Sequence, residues 1–306
     1  MAHETGERID AEAGGESPAF GYFGPADPQW PVLISVPHAG RHYPDSVLAR
    51  SAVPLATLAR LEDRHADALV MGLEEQGYGI VCARVARAVI DLNRDPRDID
   101  RRMIAALPHG QALIETAKSR GGLGLFPRSL PRIGGLWRAP MPWAEAHARI
   151  EAIHAPYHAE LERRLRMIRA VHGQALLLDV HSMPPLEPDR FAGALRPDVV
   201  IGDRFGASAA SRFAEVAREV VLRHGLKAAV NHPYPGTYIA ERHGKPAAGR
   251  HVVQIEISRD LYLDAALREP SAGLNALRAM LLDLAESLRE EINRAAPPAA
   301  LPIAAE

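Results

Sequence analysis

One short apolar run constrains the fold of this chain more than any other stretch. Residues Ala175-Leu176-Leu177-Leu178 are followed at once by Asp179-Val180-His181-Ser182. A continuous hydrophobic run of this length predicts a buried, central β-strand, because a strand covered on both faces has no polar side to alternate with. The polar residues at its end predict side chains delivered to a crevice, where open α/β sheets bind their ligands.

Three other segments share this arrangement of an apolar run and a polar end. They are Val32–Gly40, which ends in Pro37-His38-Ala39-Gly40, Arg87–Arg94, which ends in Asp91-Leu92-Asn93-Arg94, and Val252–Arg259, which carries Glu256. Together the four predicted strand ends hold two His, two Asp, one Glu and a cluster of Arg and Asn. That inventory is typical of a metal-dependent hydrolase.

Strands and helices are predicted to alternate along the chain, which favours one α/β domain with a mostly parallel or mixed sheet. Besides the apolar runs above, strands are predicted at Gly79–Val85, Ala88–Leu92, Val199–Asp203 and Lys227–Val230. Helices are predicted at Pro54–Glu75, Pro142–Val171, Ser208–His224 and Ser271–Ala295. A single catalytic domain is expected over residues 20–295, flanked by disordered tails at 1–19 and 296–306.

Residues 95–142 differ from the rest, since they combine many Arg with Gly pairs and several Pro. A segment this long inside one domain is more often a binding insertion than a plain connection. We therefore expect residues 95–142 to contribute to substrate binding.

Charge and cysteine content exclude several classes of partner. The formal net charge is -2, with acidic and basic residues interspersed, so neither nucleic acid nor an anionic membrane is an expected partner. The single cysteine, Cys82, excludes an internal disulfide and suits a reducing compartment. Because residues 1–17 also lack the features of a signal peptide, a cytoplasmic protein is expected.

A hydrolytic zinc site needs about three ligands from His and Asp or Glu, with a further position open to water. His38 and His181 each lie at a strand end, so their side chains can converge. On local evidence Asp63 is the best acidic third ligand, and Glu62 and Asp179 compete with it. The alternative for each His is a hydrogen-bonded loop residue, and for Asp63 a solvated helix charge.

Glu256 is flanked by β-branched residues, and burying a carboxylate is costly unless the group is paired or functional. It is a candidate general base, whereas its structural alternative is an ion pair with Arg259. Asn93 and Arg94 suit a substrate carboxylate. Either Arg87 or Arg84 can stabilise an oxyanion, and the sequence does not choose between them.

Two rival chemistries lack their sequence signals. No Gly-x-Ser-x-Gly turn for a serine hydrolase occurs. The cluster Gly121-Gly122-Leu123-Gly124 lacks the lysine and the preceding strand of a nucleotide-binding loop.

The combined motifs resemble the N-formylglutamate amidohydrolase family. The matching stretches occur in order from about Val32 to Tyr262 and are Ser35-Val36-Pro37-His38-Ala39-Gly40, Tyr43-Pro44, Glu62-Asp63-Arg64, Ala88-Val89-Ile90-Asp91-Leu92-Asn93-Arg94, Pro156-Tyr157-His158, Asp179-Val180-His181-Ser182, Asn231-His232-Pro233-Tyr234-Pro235-Gly236 and Gln254-Ile255-Glu256-Ile257. Each motif alone is weak, but the ordered set is specific.

The family is similar to the zinc carboxypeptidase and aspartoacylase group, which implies a three-layer α/β/α sandwich of the phosphorylase/hydrolase-like type around a mixed, eight-stranded sheet. The resemblance also implies one zinc ion per chain, held by His38, Asp63 and His181. In the carboxypeptidase pattern the acidic ligand comes three residues after the first His, where this chain has Arg41.

The same resemblance implies the remaining site residues and the substrate. Glu256 is carried over as the general base and Arg87 as the oxyanion-stabilising group. Asn93 and Arg94 would grip the substrate carboxylate, with Arg120 and Arg128 of the insertion as further contacts. The implied reaction is zinc-dependent hydrolysis of an N-formyl or N-acyl amide of an acidic amino acid, such as N-formyl-L-glutamate in histidine breakdown.

Two alternatives to this function remain. The chain can be a deacylase or carboxypeptidase for another N-acyl amino acid, since the hydrolytic residues would be the same. It can also be a metal-free binding module for dicarboxylates. A small-molecule ligand is expected in each case, on a monomer or small homo-oligomer.

Overall fold

The apolar run at residues 175–180 is the middle strand of the main sheet in the computed structural model, which describes residues 19–187 and 196–295. The strands are β1 (Phe20–Phe23), β2 (Val32–Val36), β3 (Gly79–Ala83), β4 (Ser129–Leu130), β5 (Gly134–Gly135), β6 (Ala175–Met183), β7 (Val199–Gly202), β8 (Ala228–Val230) and β9 (Arg250–Ser258). Seven of them form one sheet in the order β1-β3-β2-β6-β9-β7-β8, and β4 pairs with β5 in a separate hairpin.

The main sheet is mixed, as predicted. Strands β3, β2, β6 and β9 are parallel neighbours, β7 and β8 are parallel to each other, and β1 and β7 run antiparallel to β3 and β9. The described part of the sheet has one strand fewer than the eight that the resemblance implied. Cys82 lies on β3 as predicted; it is free and buried, and burial raises its pKa to about 12.

Helices cover both faces of this sheet, which confirms the three-layer α/β/α sandwich. The helices are α1 (Asp45–Leu48), α2 (Leu55–Leu58), α3 (Ala66–Val70), α4 (Ala117–Arg120), α5 (Trp143–Arg149), α6 (Ala155–His172), α7 (Ser211–Arg223), α8 (Tyr238–His243) and α9 (Leu274–Ala295). Helices α3, α7 and α9 pack on one face, against alternate β6 residues such as Leu176 and Leu178. Helices α6 and α8 pack on the other face, against Ala175 and Leu177.

The helix predicted over Pro54–Glu75 is wrong in its middle and at its end, since α3 ends at Val70. Helix α2 passes into a 3-10 turn at Ala59–Leu61, and α3 begins only after His65, whose φ of 59° is left-handed. Between them Glu62 is extended, with ψ 147°. The apolar spacing is satisfied by two short helices instead of one, and the break places Asp63 at the sheet edge.

Ala88–Leu92 is also not a strand in the structure. It is a buried irregular segment whose backbone groups form hydrogen bonds with other parts of the chain. The N–H of Asp91 donates to the carbonyl of Leu125 at 2.8 Å, and Nη1 of Arg149 donates to the carbonyl of Val89 at 3.0 Å. Its β-branched residues therefore pack in the core without joining the sheet.

The helix predicted at Pro142–Val171 is confirmed as α5 and α6, which a π-helical turn at Ile150–His154 connects just before Pro156. No helix among the described residues is long and apolar enough to cross a membrane. The tails predicted at 1–19 and 296–306 lie outside the described residues, except for Ala19.

Candidate active site

His38 and His181 meet because their strands are parallel neighbours. Strands β2 and β6 pair in register, with Ser35 opposite Asp179, so their carboxyl ends reach the same edge of the sheet. The two Nδ1 atoms are 3.2 Å apart. The loop after His38 packs closely, because a Cβ on Gly40 would lie 2.1 Å from the carbonyl oxygen of Val85. Glycine is therefore required there to hold His38 in place.

Asp63 joins the two histidines from the break between α2 and α3. Its backbone N–H donates to the carbonyl of His38 at 2.9 Å. Its Oδ2 lies 3.1 Å from Nδ1 of His181 and 3.5 Å from Nδ1 of His38. All three side chains are at most 2% exposed. Three ligating atoms from distant parts of the sequence thus converge on one buried point.

A carboxylate holds the other ring nitrogen of each histidine. Nε2 of His38 lies 2.7 Å from Oδ1 of Asp91, and Nε2 of His181 lies 3.0 Å from Oδ2 of Asp179. An ionised carboxylate only accepts hydrogen bonds, so we assign the N–H to Nε2 in both rings. The lone pairs at both Nδ1 atoms then point toward Asp63.

This donor set fits a metal ion. Lone pairs of two Nδ1 atoms and a carboxylate oxygen repel one another unless a cation lies among them. Ligands about 2.0–2.1 Å from a tetrahedral zinc ion are separated by roughly 3.3 Å, which agrees with the separations of 3.1, 3.2 and 3.5 Å here. The His–carboxylate pairs behind the donors are the usual support of metal-binding histidines.

The charges around the cluster favour a cation at the same point. Burial opposes ionisation of Asp63, but the adjoining His181 and His38 rings and the charge of Arg259 hold its pKa well below the usual range. Burial likewise opposes the charge of His181, whereas Asp179, Asp63 and Glu256 raise the pKa of this ring well above its ordinary value. Positive charge is therefore stabilised between these carboxylates.

The two competing acidic residues have other contacts. Glu62 accepts hydrogen bonds from the Tyr43 hydroxyl at 2.5 Å and from Arg64 at 3.1 Å. Asp179 lies behind His181, on the ring nitrogen remote from Asp63. Arg41, which takes the sequence position of the carboxypeptidase acid, pairs instead with Asp67. Of the three acids, only Asp63 offers an oxygen to both Nδ1 atoms.

Glu256 lies beside the cluster, on strand β9 directly opposite His181. Its Oε1 accepts a hydrogen bond from Nε2 of Gln254 at 3.0 Å. Burial and the nearby charge of Asp63 raise the pKa of Glu256 to about 7, although His181, Arg87 and Arg259 oppose the shift. A carboxyl group that titrates near neutrality is suited to take up and release a proton.

A family profile and curated relatives match most of the chain. The profile of the N-formylglutamate amidohydrolase family matches residues 30–263. This chain belongs to that family. The N-formylglutamate deformylase of Pseudomonas aeruginosa is 32% identical over 263 residues, which are 84% of this chain and 92% of the relative. A second deformylase, from Pseudomonas putida, is 32% identical over 237 residues, covering 76% and 82%.

Solved structures agree with the family. The crystal structure of N-formylglutamate amidohydrolase from Ralstonia eutropha JMP134 is 28% identical, with a TM-score of 0.83 over 91% of this chain and 99% of that one. The gene product Atu2144 from Agrobacterium tumefaciens, at 21% identity and TM-score 0.59, covers 90% and 97% and shares the fold. This member of the amidohydrolase family is thus a hydrolase of amide bonds.

Of the two candidate arginines, Arg87 faces the site of this amidohydrolase. Its Nε and Nη2 both lie 2.9 Å from Oδ2 of Asp91, the residue that holds His38. The charges of Asp63 and Glu256, together with Asp91, raise the pKa of Arg87 although burial opposes this. Arg84 lies instead beside β1, where its Nη2 would be 3.2 Å from a Cβ on Gly21.

Asn93 and Arg94 lie beside the cluster, but some of their side-chain hydrogen-bonding groups are already bonded to other residues of the chain. Oδ1 of Asn93 accepts from the N–H of Ile239 at 2.8 Å, and its Nδ2 lies 3.4 Å from Oε1 of Gln254. Nε of Arg94 donates to the carbonyl of Leu123 at 3.1 Å. A carboxylate-binding role for both residues stays a prediction, and for Asn93 these contacts favour positioning.

Arg120 and Arg128 have contacts within the insertion, and their role as substrate contacts stays a prediction. Arg120 is exposed and donates to the carbonyl of Glu115 at 2.6 Å, while Arg128 donates to Asp100 at 2.6 Å. Both guanidinium groups are thus directed to residues of the insertion itself. The abundance of Arg in residues 95–142 does not indicate the direction in which each side chain points.

Sequence reasoning missed two residues that hold the site together. Arg259 was considered a partner of Glu256, but its Nη2 donates to Oδ1 of Asp63 at 2.8 Å. Ser35 donates to Oδ1 of Asp179 at 2.8 Å and also bonds the hydroxyl of Tyr157. A signal for Ser35 was available, since it is the one polar residue in the strand Val32–Val36.

Proposed function

We propose that this amidohydrolase is a zinc enzyme that converts N-formyl-L-glutamate to L-glutamate and formate. One observation carries the proposal: Nδ1 of His38, Nδ1 of His181 and Oδ2 of Asp63 converge, with both rings backed by carboxylates. Curated relatives named N-formylglutamate deformylase supply the substrate class. A cytoplasmic location and a place in histidine breakdown belong to the same proposal.

In this proposal His38, Asp63 and His181 hold the zinc ion. When bound, zinc lowers the pKa of water and polarises the acyl oxygen. Asp91 and Asp179 fix the tautomers of the two histidines and raise their basicity, so the ring nitrogens stay available as ligands. Arg259 occupies the second oxygen of Asp63, which leaves only Oδ2 to face the metal.

Glu256 and the arginines perform the remaining steps. Glu256 takes a proton from the attacking water and returns it to the departing amine nitrogen, for which a pKa of about 7 is suited. Arg87 places its positive charge where the amide oxygen becomes anionic. Within the described residues Arg94 donates only through Nε, so its terminal nitrogens can orient a carboxylate of the substrate.

A formate-release assay tests the proposal. The zinc-loaded protein, the chelator-treated protein and Glu256→Gln are compared on N-formylglutamate, N-acetylglutamate and N-formyl derivatives of other amino acids. We expect highest turnover on N-formylglutamate, loss of activity on chelation with recovery on zinc, and a decrease of at least about a hundredfold in Glu256→Gln. Zinc affinity should be retained in that variant, because Glu256 is not a ligand.

Other outcomes separate the alternatives. Preferred turnover of another N-acyl amino acid would make the protein a deacylase for that substrate. Tight dicarboxylate binding without zinc and without turnover would make it a binding module. Near-normal turnover by Glu256→Gln would remove Glu256 from the mechanism.

A further inference from the structure

Lys118 is one of only three lysines in a chain that otherwise uses arginine for its positive charges. It lies on α4, in the insertion at residues 95–142, two positions before Arg120. Helix α4 is fixed at its start, since Oγ1 of Thr116 accepts from the N–H of Lys118 at 3.1 Å and itself donates to Asp98 at 3.0 Å. The backbone that carries Lys118 is thus tied into the domain.

One residue connects Lys118 to Arg94. The carbonyl of Lys118 accepts from the N–H of Leu123 at 2.8 Å, and the carbonyl of Leu123 accepts from Nε of Arg94 at 3.1 Å. Arg94 is 11% exposed, whereas Lys118 is an exposed residue. The two cations therefore lie at different depths, with Arg94 closer to the catalytic groups and Lys118 at the rim.

These two cations keep hydrogen-bonding groups free within the described part of the chain. The side chain of Lys118 makes no hydrogen bond or ion pair with a described residue, and Arg94 uses only its Nε. Arg87, in contrast, is engaged by Asp91 through two nitrogens. Arg120 and Arg128 are engaged within the insertion.

Lys118 has no acidic partner among the described residues, whereas Nε of Arg94 lies 3.8 Å from Oδ2 of Asp91. Partial burial, followed by the charges of Arg94 and Arg87, lowers the pKa of Lys118, while Glu256 and Asp91 act in the opposite direction. Arg94 and Lys118, joined through the backbone of Leu123, add a positive potential that attracts an anionic ligand.

With the α-carboxylate of the substrate on Arg94, we propose that Lys118 binds the side-chain carboxylate of a dicarboxylic N-formyl amino acid and determines the preference for an acidic side chain. This inference rests on the proposed function. The α-carboxylate is the nearer one to the amide and goes to the deeper Arg94. The side-chain carboxylate, two methylene groups farther out in glutamate, reaches the rim and meets Lys118.

Substrates that differ only in charge test this assignment. N-formylglutamine has nearly the same shape as N-formylglutamate but a neutral side chain. In Lys118→Met, we expect kcat/KM for N-formylglutamate to fall about tenfold or more, while that for N-formylglutamine stays within about twofold, because only a charged hydrogen bond is lost. Lys118→Arg should keep part of the preference.

Lys227→Met is the matched control, since Lys227 is an exposed lysine next to β8 at the far edge of the sheet. It should leave both substrates unchanged. An equal decrease on both substrates in Lys118→Met, or no decrease on either, would overturn the assignment and leave the hydrolase function standing.

A measurement without turnover completes the test. The three lysines are acylated at low reagent concentration, and their modification is followed by mass spectrometry with glutarate or butyrate present. We expect glutarate to protect Lys118 severalfold relative to Lys227 and Lys245, and butyrate to protect none. Protection in a protein that fails the formate assay would support the carboxylate site alone, whereas equal modification with both acids would overturn it.

Discussion

Asp179 and His181 lie two positions apart on strand β6, so their side chains share one face, and Oδ2 of Asp179 is 3.0 Å from Nε2 of His181. The carboxylate is itself held by the hydroxyl of Ser35 on the neighbouring strand. The strand therefore carries both a proposed zinc ligand and the carboxylate that orients it. Burial of Asp179 at 0% exposure makes this pairing hard for solvent to replace.

Asp179→Asn should weaken zinc binding by about 10- to 100-fold, the usual cost of losing a carboxylate behind a metal-binding histidine. The amide keeps the shape but no longer favours the Nε2–H tautomer. Competition with a chromogenic chelator gives the affinity. Asp283→Asn, which changes a half-exposed surface carboxylate, is the control, and equal zinc affinity in the two variants would contradict the prediction.

The part of the site on the sheet could be predicted from the sequence. Polar residues that follow apolar strands lie at the same edge when the strands are parallel, which is why His38, His181 and Glu256 were found. Asp63 could be named only as one of three acids, because the break that positions it contains neither Gly nor Pro. It depends on a tertiary hydrogen bond to the carbonyl of His38, which local propensity does not encode.

The site side chains outside the sheet were less accessible to prediction. Arg120 and Arg128 share their segment with Lys118, and composition alone could not tell which of these cations is bound by the insertion itself. The direction is set by contacts such as that of Arg128 with Asp100. The motif at Pro156-Tyr157-His158 was recognised without a role, since its partner, the carbonyl of Leu92, is distant in sequence.

Arg259→Gln should shift the pH at which zinc is released upward. Arg259 lowers the pKa of Asp63, so its loss raises that pKa and lets protons compete with zinc at higher pH. Removing one partner of a buried ion pair should also lower the free energy of unfolding by about 3 kcal/mol. Zinc release during acid titration and urea unfolding measure the two effects.

Arg259→Lys separates charge from geometry in this experiment. It should retain part of the shift in the pKa of Asp63 but lose the contact of Nε with Ser182 at 3.0 Å. If Arg259→Gln released zinc at the same pH as the unaltered protein, Arg259 would not be the group that holds Asp63 ionised.

His158→Gln should disturb the segment that carries Asp91 and Asn93. Nε2 of His158 lies 2.9 Å from the carbonyl of Leu92, and the ring is fully buried, so the N–H donor satisfies an otherwise unpaired acceptor. Loss of this bond should lower the free energy of unfolding by about 1–3 kcal/mol. We also expect kcat to fall more than zinc affinity, because His158 acts on the segment and not on the ligands.

His172→Gln is the control for this helix. His172 is on α6 too, but it contacts the carbonyl of Pro28 at the other end of the helix. It should affect neither kcat nor zinc affinity. An unchanged kcat in a folded His158→Gln would show that the segment keeps its position without this bond.

Acidification from about pH 6.5 to pH 4 should destabilise the protein through histidines that are buried as neutral rings. Burial and the charge of Arg212 lower the pKa of His251 to about 4, whereas an unfolded histidine titrates near about 6.5. The unfolded state therefore binds more protons in this window, so the free energy of unfolding decreases as the pH falls. Each such histidine contributes a slope of up to about 1.4 kcal/mol per pH unit.

His251→Gln should reduce this slope by up to the contribution of one proton, about 1.4 kcal/mol per pH unit. The N–H of Ala210 points at Nδ1 of His251, at 3.4 Å, and protonation of that nitrogen would remove the acceptor. Urea unfolding at several pH values, with zinc excluded, gives the slope. His109→Gln, which replaces an exposed histidine, should leave it unchanged, and equal slopes in both variants would assign the acid sensitivity to groups other than His251.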